Sequence, residues 1–160
     1  MIEVKRVKLT KENILKIKAI DDLFYNDEIL TLDWYLARYN KNHDGIFLVL
    51  DDEVIGYLVS VPIKKELYKT ITNGVIVNDL YINPQMIVDK SKYNYIVSIV
   101  ILEKYRNNEY SKVMIEELAK TSKGKYCTLT TSKEGYILAN KYMKHKIKIN
   151  DEVSVFVLNN

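Results

Sequence analysis

Residues Tyr105-Arg106-Asn107-Asn108-Glu109-Tyr110-Ser111-Lys112 bring a guanidinium, two amides and a small hydroxyl side chain to the point where a helical pattern begins. That chemistry suits an anion. The first turn of a helix has backbone N–H groups without intrahelical acceptors, and the helix dipole adds partial positive charge there. Glu109 places a carboxylate at the same spot, where the dipole favours it. Other reactive side chains are scattered. His43 lies in a polar loop, 40–45, and reads as solvated. Cys127 has no second cysteine to pair with, which fits a reducing compartment. Asp79 is the acidic residue of the 64–92 region with a claim to face a site; its simpler reading is a solvated loop carboxylate.

The elements that position the anion loop are legible on both sides of it. Ile96 to Leu102 is a β-branched run too apolar for a surface strand and predicts a strand buried on both faces. Glu103 to Asn108 is a polar turn. Tyr110, Val113, Met114 and Leu118 then recur at helical spacing, with Lys112, Glu116 and Lys120 opposite. Upstream, Ile2, Val4 and Val7 predict a strand. Thr10 predicts an N-cap for a helix whose apolar face runs Ile14, Ile17, Ala19, Ile20, Leu23 and Phe24. Asn26-Asp27-Glu28 interrupt it. Thr31 caps a second helix with Leu32, Tyr35, Leu36 and Tyr39 on one stripe. Trp34, off that stripe, has two readings, a wall of a substrate groove and packing against the first helix, and the second is the expectation.

Strands at Ile46–Leu50 and Val54–Val61 flank Asp51-Asp52-Glu53, a hairpin signal. Gly56 inside the second predicts a bulge or a close backbone approach, and Pro62 ends it. Lys64 to Asn73 reads as a short helix with Leu67 and Ile71 inward and Gly74 as its stop. Downstream come a strand at Tyr126–Thr131, a helix from about Glu134 to His145, and a terminal hairpin with Ile147, Ile149, Val153, Val155 and Val157 around Asn150-Asp151-Glu152.

At 160 residues the chain is expected to form one domain with a real core. A 48% apolar and 28% charged composition is that of an ordinary globular protein, and a net charge of +3 with scattered basic residues argues against a nucleic-acid partner. No apolar run is long enough to span a membrane. The alternation of charge and apolarity from Glu3 to Lys8 argues against a signal-peptide core. A cytoplasmic location follows as the expectation.

Taken together, strand, turn and helix around Arg106 resemble the coenzyme A-binding motif of the GNAT acetyltransferase superfamily, in which a buried strand and an aromatic-Arg pair precede Arg/Gln-x-x-Gly-x-Gly/Ala at a helix start. Tyr105-Arg106 supply the pair, and Arg106 to Ser111 occupy the loop. Glu103 stands where the family often has Pro, Glu109 at the first Gly and Ser111 at the second. The Glu53-Val-Ile-Gly-Tyr57 hairpin is similar to the family's second and third strands. Leu138-Ala-Asn-Lys-Tyr-Met-Lys-His-Lys-Ile147 resembles a second signature, with Ala139, Tyr142 and Lys144 matching and Lys146 and Ile147 replacing Gly and Phe. The Asn that often precedes that helix is replaced near Gly135.

The resemblance covers most of the chain and is weakest over 64–92, which reads as an insertion that shapes a substrate pocket. It implies an α/β fold with a mixed, largely antiparallel sheet flanked by helices and a splayed parallel strand pair. It implies acetyl-CoA as cosubstrate, no metal, and transfer of acetyl to the amine of a small-molecule or peptide acceptor, with an oligomer compatible. By the same resemblance the pyrophosphate lies over Arg106, Asn107, Asn108, Glu109, Tyr110, Ser111 and Lys112. The pantetheine arm pairs with backbone groups of Ile99 and Ile101, and Tyr142 protonates the leaving thiolate. No general base stands out: the strand carries Ser98 and no acid, which leaves a water chain or Asp79. A second reading follows from Glu109 and the missing glycines: a GNAT-like fold that acts as a binding or regulatory module. A third is a plain α/β domain.

Overall fold

The structure, a computed structural model, describes residues 1–24, 30–39, 43–106, 108–121 and 123–159. Within them lie seven strands and five helices of the α type. The strands are β1 (Glu3–Lys8), β2 (Asp44–Leu50), β3 (Glu53–Pro62), β4 (Tyr93–Ile101), β5 (Lys125–Thr130), β6 (Lys144–Lys148) and β7 (Ser154–Leu158). The helices are α1 (Lys11–Asp21), α2 (Leu32–Tyr39), α3 (Lys65–Thr72), α4 (Tyr110–Thr121) and α5 (Lys133–Tyr142). The strands follow the order β1-β2-β3-β4-β5-β7-β6, in a mostly antiparallel sheet with one parallel pair, β4 with β5. The chain divides into two compact units, Met1–Ser60 with Ser98–Thr121, and Val61–Val97 with Ser122–Asn160.

In the first unit, β1 and β2 pair from Glu3↔Val49 to Lys8↔Asp44. The β2–β3 turn places Asp51 and Asp52 at φ 50° and 64°. Two consecutive positive φ values match the twist of a two-residue hairpin, and Asp tolerates them better than most side chains. The pairing of β2 with β3 slips between Leu48↔Gly56 and Val49↔Val54, so Ile55 is the extra residue of a bulge. Thr10 Oγ1 accepts from Asn13 N at 3.2 Å and opens α1, as its side chain predicts. Ile14, Ile17 and Ile20 of α1 are buried, but the apolar face stops there. The helix ends at Asp21, which leaves Leu23 and Phe24 exposed and corrects the longer face read from the sequence; Ala19 is also exposed. Asn26-Asp27-Glu28 lie outside the described residues. Thr31 Oγ1 accepts from Trp34 N and opens α2, whose Tyr35 and Tyr39 are buried.

Helix α4 packs on β1 and β2, and Arg6 donates to the Glu117 carbonyl. Its buried residues are Met114, Ile115 and Leu118, whereas Val113 is exposed. The stripe is thus turned by about one residue from the sequence expectation, because Ile115 faces the sheet in place of Val113. His43 also departs from expectation. It is 4% exposed, and its carbonyl accepts from Leu9 N at 2.7 Å, so the residue before β2 is drawn inward where β1 gives way to α1.

In the second unit, β4 runs parallel to β5 over Tyr93↔Lys125 to Tyr95↔Cys127. The next link is a side-chain one: Thr128 Oγ1 donates to the Ile96 carbonyl at 2.8 Å. β7 lies between β5 and β6, antiparallel to both. Helix α3 packs on β5 and β7, with Leu67 and Ile71 buried as expected. Gly74, at φ 76°, follows its last turn and donates to the Ile71 carbonyl. A Cβ at Gly74 would stand 3.3 Å from Ile147 Cδ1. Ser132 Oγ accepts from Gly135 N to open α5. That helix ends at Tyr142, not near His145, because Met143 leaves helical geometry and Lys144 begins β6. Asn150 Oδ1 accepts from Glu152 N and Val153 N and makes the last turn.

Candidate functional site

The residues expected to hold an anion sit where β4 gives way to α4. A single 3-10 turn, Glu103–Tyr105, joins them, and Leu102 N donates to the Ile55 carbonyl before it begins. Arg106 is anchored in place. Its Nε donates to the Ile101 carbonyl at 2.9 Å, and its guanidinium lies 5.1 Å from the Phe24 ring centroid. Asn108 braces the loop by donating to the Tyr105 and Arg106 carbonyls. Tyr110 and Ser111 are half-buried at the start of α4, and Lys112 is exposed with Glu116 3.9 Å away. Asn107 lies outside the described residues. Ile99 is half-buried and Ile101 buried. The Ile101 carbonyl already serves Arg106 and keeps one further lone pair.

Glu109 is not inside the helix. It is the residue before it, exposed, at φ 59°, and its carbonyl accepts from Val113 N. A left-handed residue here is the physical reason that glycine suits this position. The helix start is thus built on a side chain that its backbone disfavours. Glu109→Gly is expected to raise stability by about 0.5–1 kcal/mol, since relief of left-handed strain exceeds the entropy that glycine adds to the unfolded chain. Glu109→Gln keeps the Cβ and should give no such gain. Equal melting temperatures for Glu109→Gly and the parent would overturn this account.

Tyr142 closes α5. It is half-buried, and the Lys141 ammonium lies 5.3 Å from its ring centroid. Asp79 sits in a 3-10 turn, Asp79–Tyr81, and is half-buried rather than solvated; Tyr95 Oη lies 3.4 Å from its Oδ2. Burial, and then the Asp79 charge, push the Tyr95 phenol well above its ordinary range. Trp34 is stacked under the Arg38 guanidinium at 4.1 Å and edge-on to Tyr35.

The sequence reading missed one cluster. Asp21, 6% exposed, accepts from Tyr35 Oη at 2.6 Å through Oδ2 and from Tyr57 Oη through Oδ1. Tyr57 Oη is also 3.3 Å from Ser98 Oγ. One carboxylate thereby ties the end of α1 to α2 and β3, and reaches β4 through Tyr57. Burial raises the Asp21 carboxyl above its ordinary value, against the two phenol hydrogen bonds, which lower it. Both phenols are pushed up, by burial first and then by the charge and hydrogen bond of Asp21. A signal was present in the sequence. Asp21 stands four residues after Ile17 and seven after Ile14, on the buried face of α1, where an acid needs partners.

A family model described as the acetyltransferase (GNAT) family matches residues 14–144. No curated protein sequence matches the chain. Solved structures do. NAA60 of Arabidopsis thaliana, in complex with acetyl-CoA, is 14% identical with a TM-score of 0.64 over 99% of both chains. GphF, a GNAT-like decarboxylase in complex with isobutyryl-CoA, is 8% identical with a TM-score of 0.69 over 96% of this chain and 97% of its own. Naa50 of Arabidopsis thaliana, in complex with the bisubstrate analogue CoA-Ac-MVNAL, is 11% identical with a TM-score of 0.59 over 96% of each chain. At such identities the likeness is one of fold.

Proposed function

Because the chain belongs to the GNAT acetyltransferase family, whose chemistry is acetyl transfer, we propose that it moves an acetyl group from acetyl-CoA to the amine of a small-molecule or peptide acceptor. The observation that carries this reading is the β4–loop–α4 junction, with Arg106 anchored to the Ile101 carbonyl at the start of an α-helix. In this reading Arg106, Asn107, Asn108, Glu109, Tyr110, Ser111 and Lys112 surround the pyrophosphate. The N–H groups of the first turn and the guanidinium offset its charge. Ile99 and Ile101 offer backbone groups to the pantetheine arm. Acetyl-CoA supplies the activated thioester. Tyr142 donates its phenolic proton as the thiolate leaves, and holding amine and thioester together lowers the entropic part of the barrier. The acyl-CoA ligands of the similar folds support the ligand class, and the peptide-bearing analogue of Naa50 supports an amine acceptor. A cytoplasmic location belongs to the same reading. Cys127 is buried and unpaired, and among the described residues no helix is long and apolar enough to cross a membrane.

Glu109 favours a second reading, a binding or regulatory module. Its carboxylate and left-handed backbone stand where the loop meets α4. Calorimetric titration with acetyl-CoA separates the two: saturable binding, followed by coenzyme A release with an amine panel, supports the enzyme. No saturation at millimolar acetyl-CoA favours the module. With turnover in hand, Tyr142→Phe should lower kcat by roughly 100-fold while affinity for acetyl-CoA changes little, because only the transition state loses a donor. An unchanged kcat would remove Tyr142 from the mechanism.

A further inference from the structure

The acetyl-transfer reading names no proton acceptor for the acceptor ammonium beyond a water chain or Asp79, and it gives the buried Asp21 no chemical task. A primary amine with a pKa of about 10 arrives protonated at neutral pH and has no lone pair with which to attack. Asp21 is held by Tyr35 from α2 and Tyr57 from β3. An anchor needs no more than that, yet the cluster continues to Ser98 on β4.

Proton counting gives the chain a direction. A phenol has one proton, and an ionised carboxylate only accepts. Tyr57 therefore gives its proton to Asp21 and turns its oxygen lone pairs toward Ser98, 3.3 Å away. The Ser98 hydroxyl must then donate to Tyr57, which leaves the Ser98 oxygen as an acceptor for a donor from outside. Tyr57 is 1% exposed and Ser98 is half-buried, so the cluster opens at the serine. Ser98 adjoins Ile99, on the strand assigned to the cofactor.

The geometry points to a proton wire, Ser98 to Tyr57 to Asp21, that takes the proton an acceptor ammonium must lose. It rests on the amine-acetylation reading. As one N–H bond of the ammonium breaks, its proton passes to Ser98 Oγ, the Ser98 proton to Tyr57 Oη and the Tyr57 proton to Asp21 Oδ1. The ammonium and carboxylate become a neutral amine and a carboxylic acid. The freed lone pair then forms the C–N bond while the C–S bond of the thioester breaks, and the second proton that the acetylated nitrogen gives up ends on the leaving sulfur as the coenzyme A thiol. Ser98 touches the substrate; Tyr57 and Asp21 are positioning residues that act through it. The groups facing Asp21 are Lys18 and Asp22 of its own helix and end, Tyr35 on α2 and Tyr57 on β3, with Tyr39 beside the two phenols. Burial, the largest influence on Asp21, makes its carboxylate a stronger base than an exposed one.

Rates of coenzyme A release from acetyl-CoA test this, with butylamine and a short peptide bearing a free N-terminus as acceptors, from pH 6 to 10. For Tyr57→Phe and Ser98→Ala, kcat/KM should fall by at least about tenfold at pH 7. The loss should shrink toward pH 10, where the amine supplies its own lone pair. Tyr35→Phe removes an equal hydrogen bond to Asp21 but lies off the wire. It should shift the acidic limb upward and keep it, whereas a purely structural cluster would treat the two phenols alike. Ser98, half-buried, gives a variant with little risk of misfolding, and melting curves check both. If the parent turns over and the losses are equal at every pH, or Ser98→Ala and Tyr57→Phe are within threefold of it, the wire is wrong and the acetylation reading stands. If the parent acetylates neither probe, the amine reading fails and the wire with it.

Discussion

Asp21→Ala is expected to cost about 3 kcal/mol of folding stability, with two buried phenols losing an acceptor at roughly 1–3 kcal/mol each and the removal of a desolvated charge offsetting part of it. Tyr35 and Tyr57 are 2% and 1% exposed, so water does not readily replace the carboxylate. The change also unties α1 from α2 and β3. Asp21→Asn, which keeps the shape, should lose less, because its amide retains one acceptor oxygen. The two variants differ from the parent in pH dependence as well. The folded Asp21 carboxyl has a raised pKa, above its ordinary value of 3.8. The folded state therefore holds its proton more tightly than the unfolded chain. Its contribution to stability is greatest below pH 3.8 and is lost as pH rises through the raised folded value. Urea unfolding at several pH values reads this directly. The stability of the parent relative to Asp21→Asn should decline across that window and level off above it. A difference that does not change with pH would show that Asp21 titrates alike in both states.

Gly56→Val should be nearly as severe, at about 3 kcal/mol, the upper end of what overpacking costs. A Cβ at Gly56 would meet the Val100 carbonyl oxygen at 2.9 Å, Leu48 Cδ1 at 3.1 Å and Ile101 Cγ1 at 3.3 Å. A side chain can turn away, but a backbone oxygen inside a strand moves only with its strand. The consequence reaches the proposed cofactor loop. Ile101, next to Val100, holds Arg106 through its carbonyl. For a chain of this size the loss corresponds to a melting temperature lower by roughly 6–12 °C. Affinity for acetyl-CoA should fall in the variant even well below its melting temperature, because Arg106 loses its anchor. Gly56→Ala meets the same oxygen with one carbon and should show a smaller version of both effects. Unchanged melting in Gly56→Val would mean that β4 yields without cost.

Much of this architecture is local in origin. Thr10, Thr31 and Ser132 open helices because each places an oxygen one turn from a backbone N–H that needs it. Asp51 and Asp52 make a hairpin because few side chains accept two positive φ values in succession. The junction at Arg106 was legible because an apolar run and a helical stripe meet there with polar residues between them. Where the structure departs from the local pattern, a partner distant in sequence overrides it. The sequence predicts α5 as far as about His145, yet Lys144, His145, Ile147 and Lys148 pair with β7. The gain from adding a strand to the sheet outweighed the helical spacing. The polar neighbours of His43 predict a solvated residue, and a hydrogen bond from Leu9 to its carbonyl draws it inside.

Strand–helix order, the caps at Thr10 and Thr31 and the likeness to acetyltransferases around Arg106 are all written in short stretches of the chain. Each of these depends on residues within a turn or two of one another. Tertiary structure alone decided the left-handed backbone of Glu109, the anchoring of Arg106 on Ile101 beside Phe24, and the cluster of Asp21, Tyr35, Tyr57 and Ser98. Tyr57 stands 36 residues from Asp21 and 41 from Ser98. Which side chains meet at such separations follows from strand register and helix packing. In β3 the bulge at Ile55 sets that register: a strand slipped by one residue turns its side chains to the opposite face, and Tyr57 would then point away from Asp21.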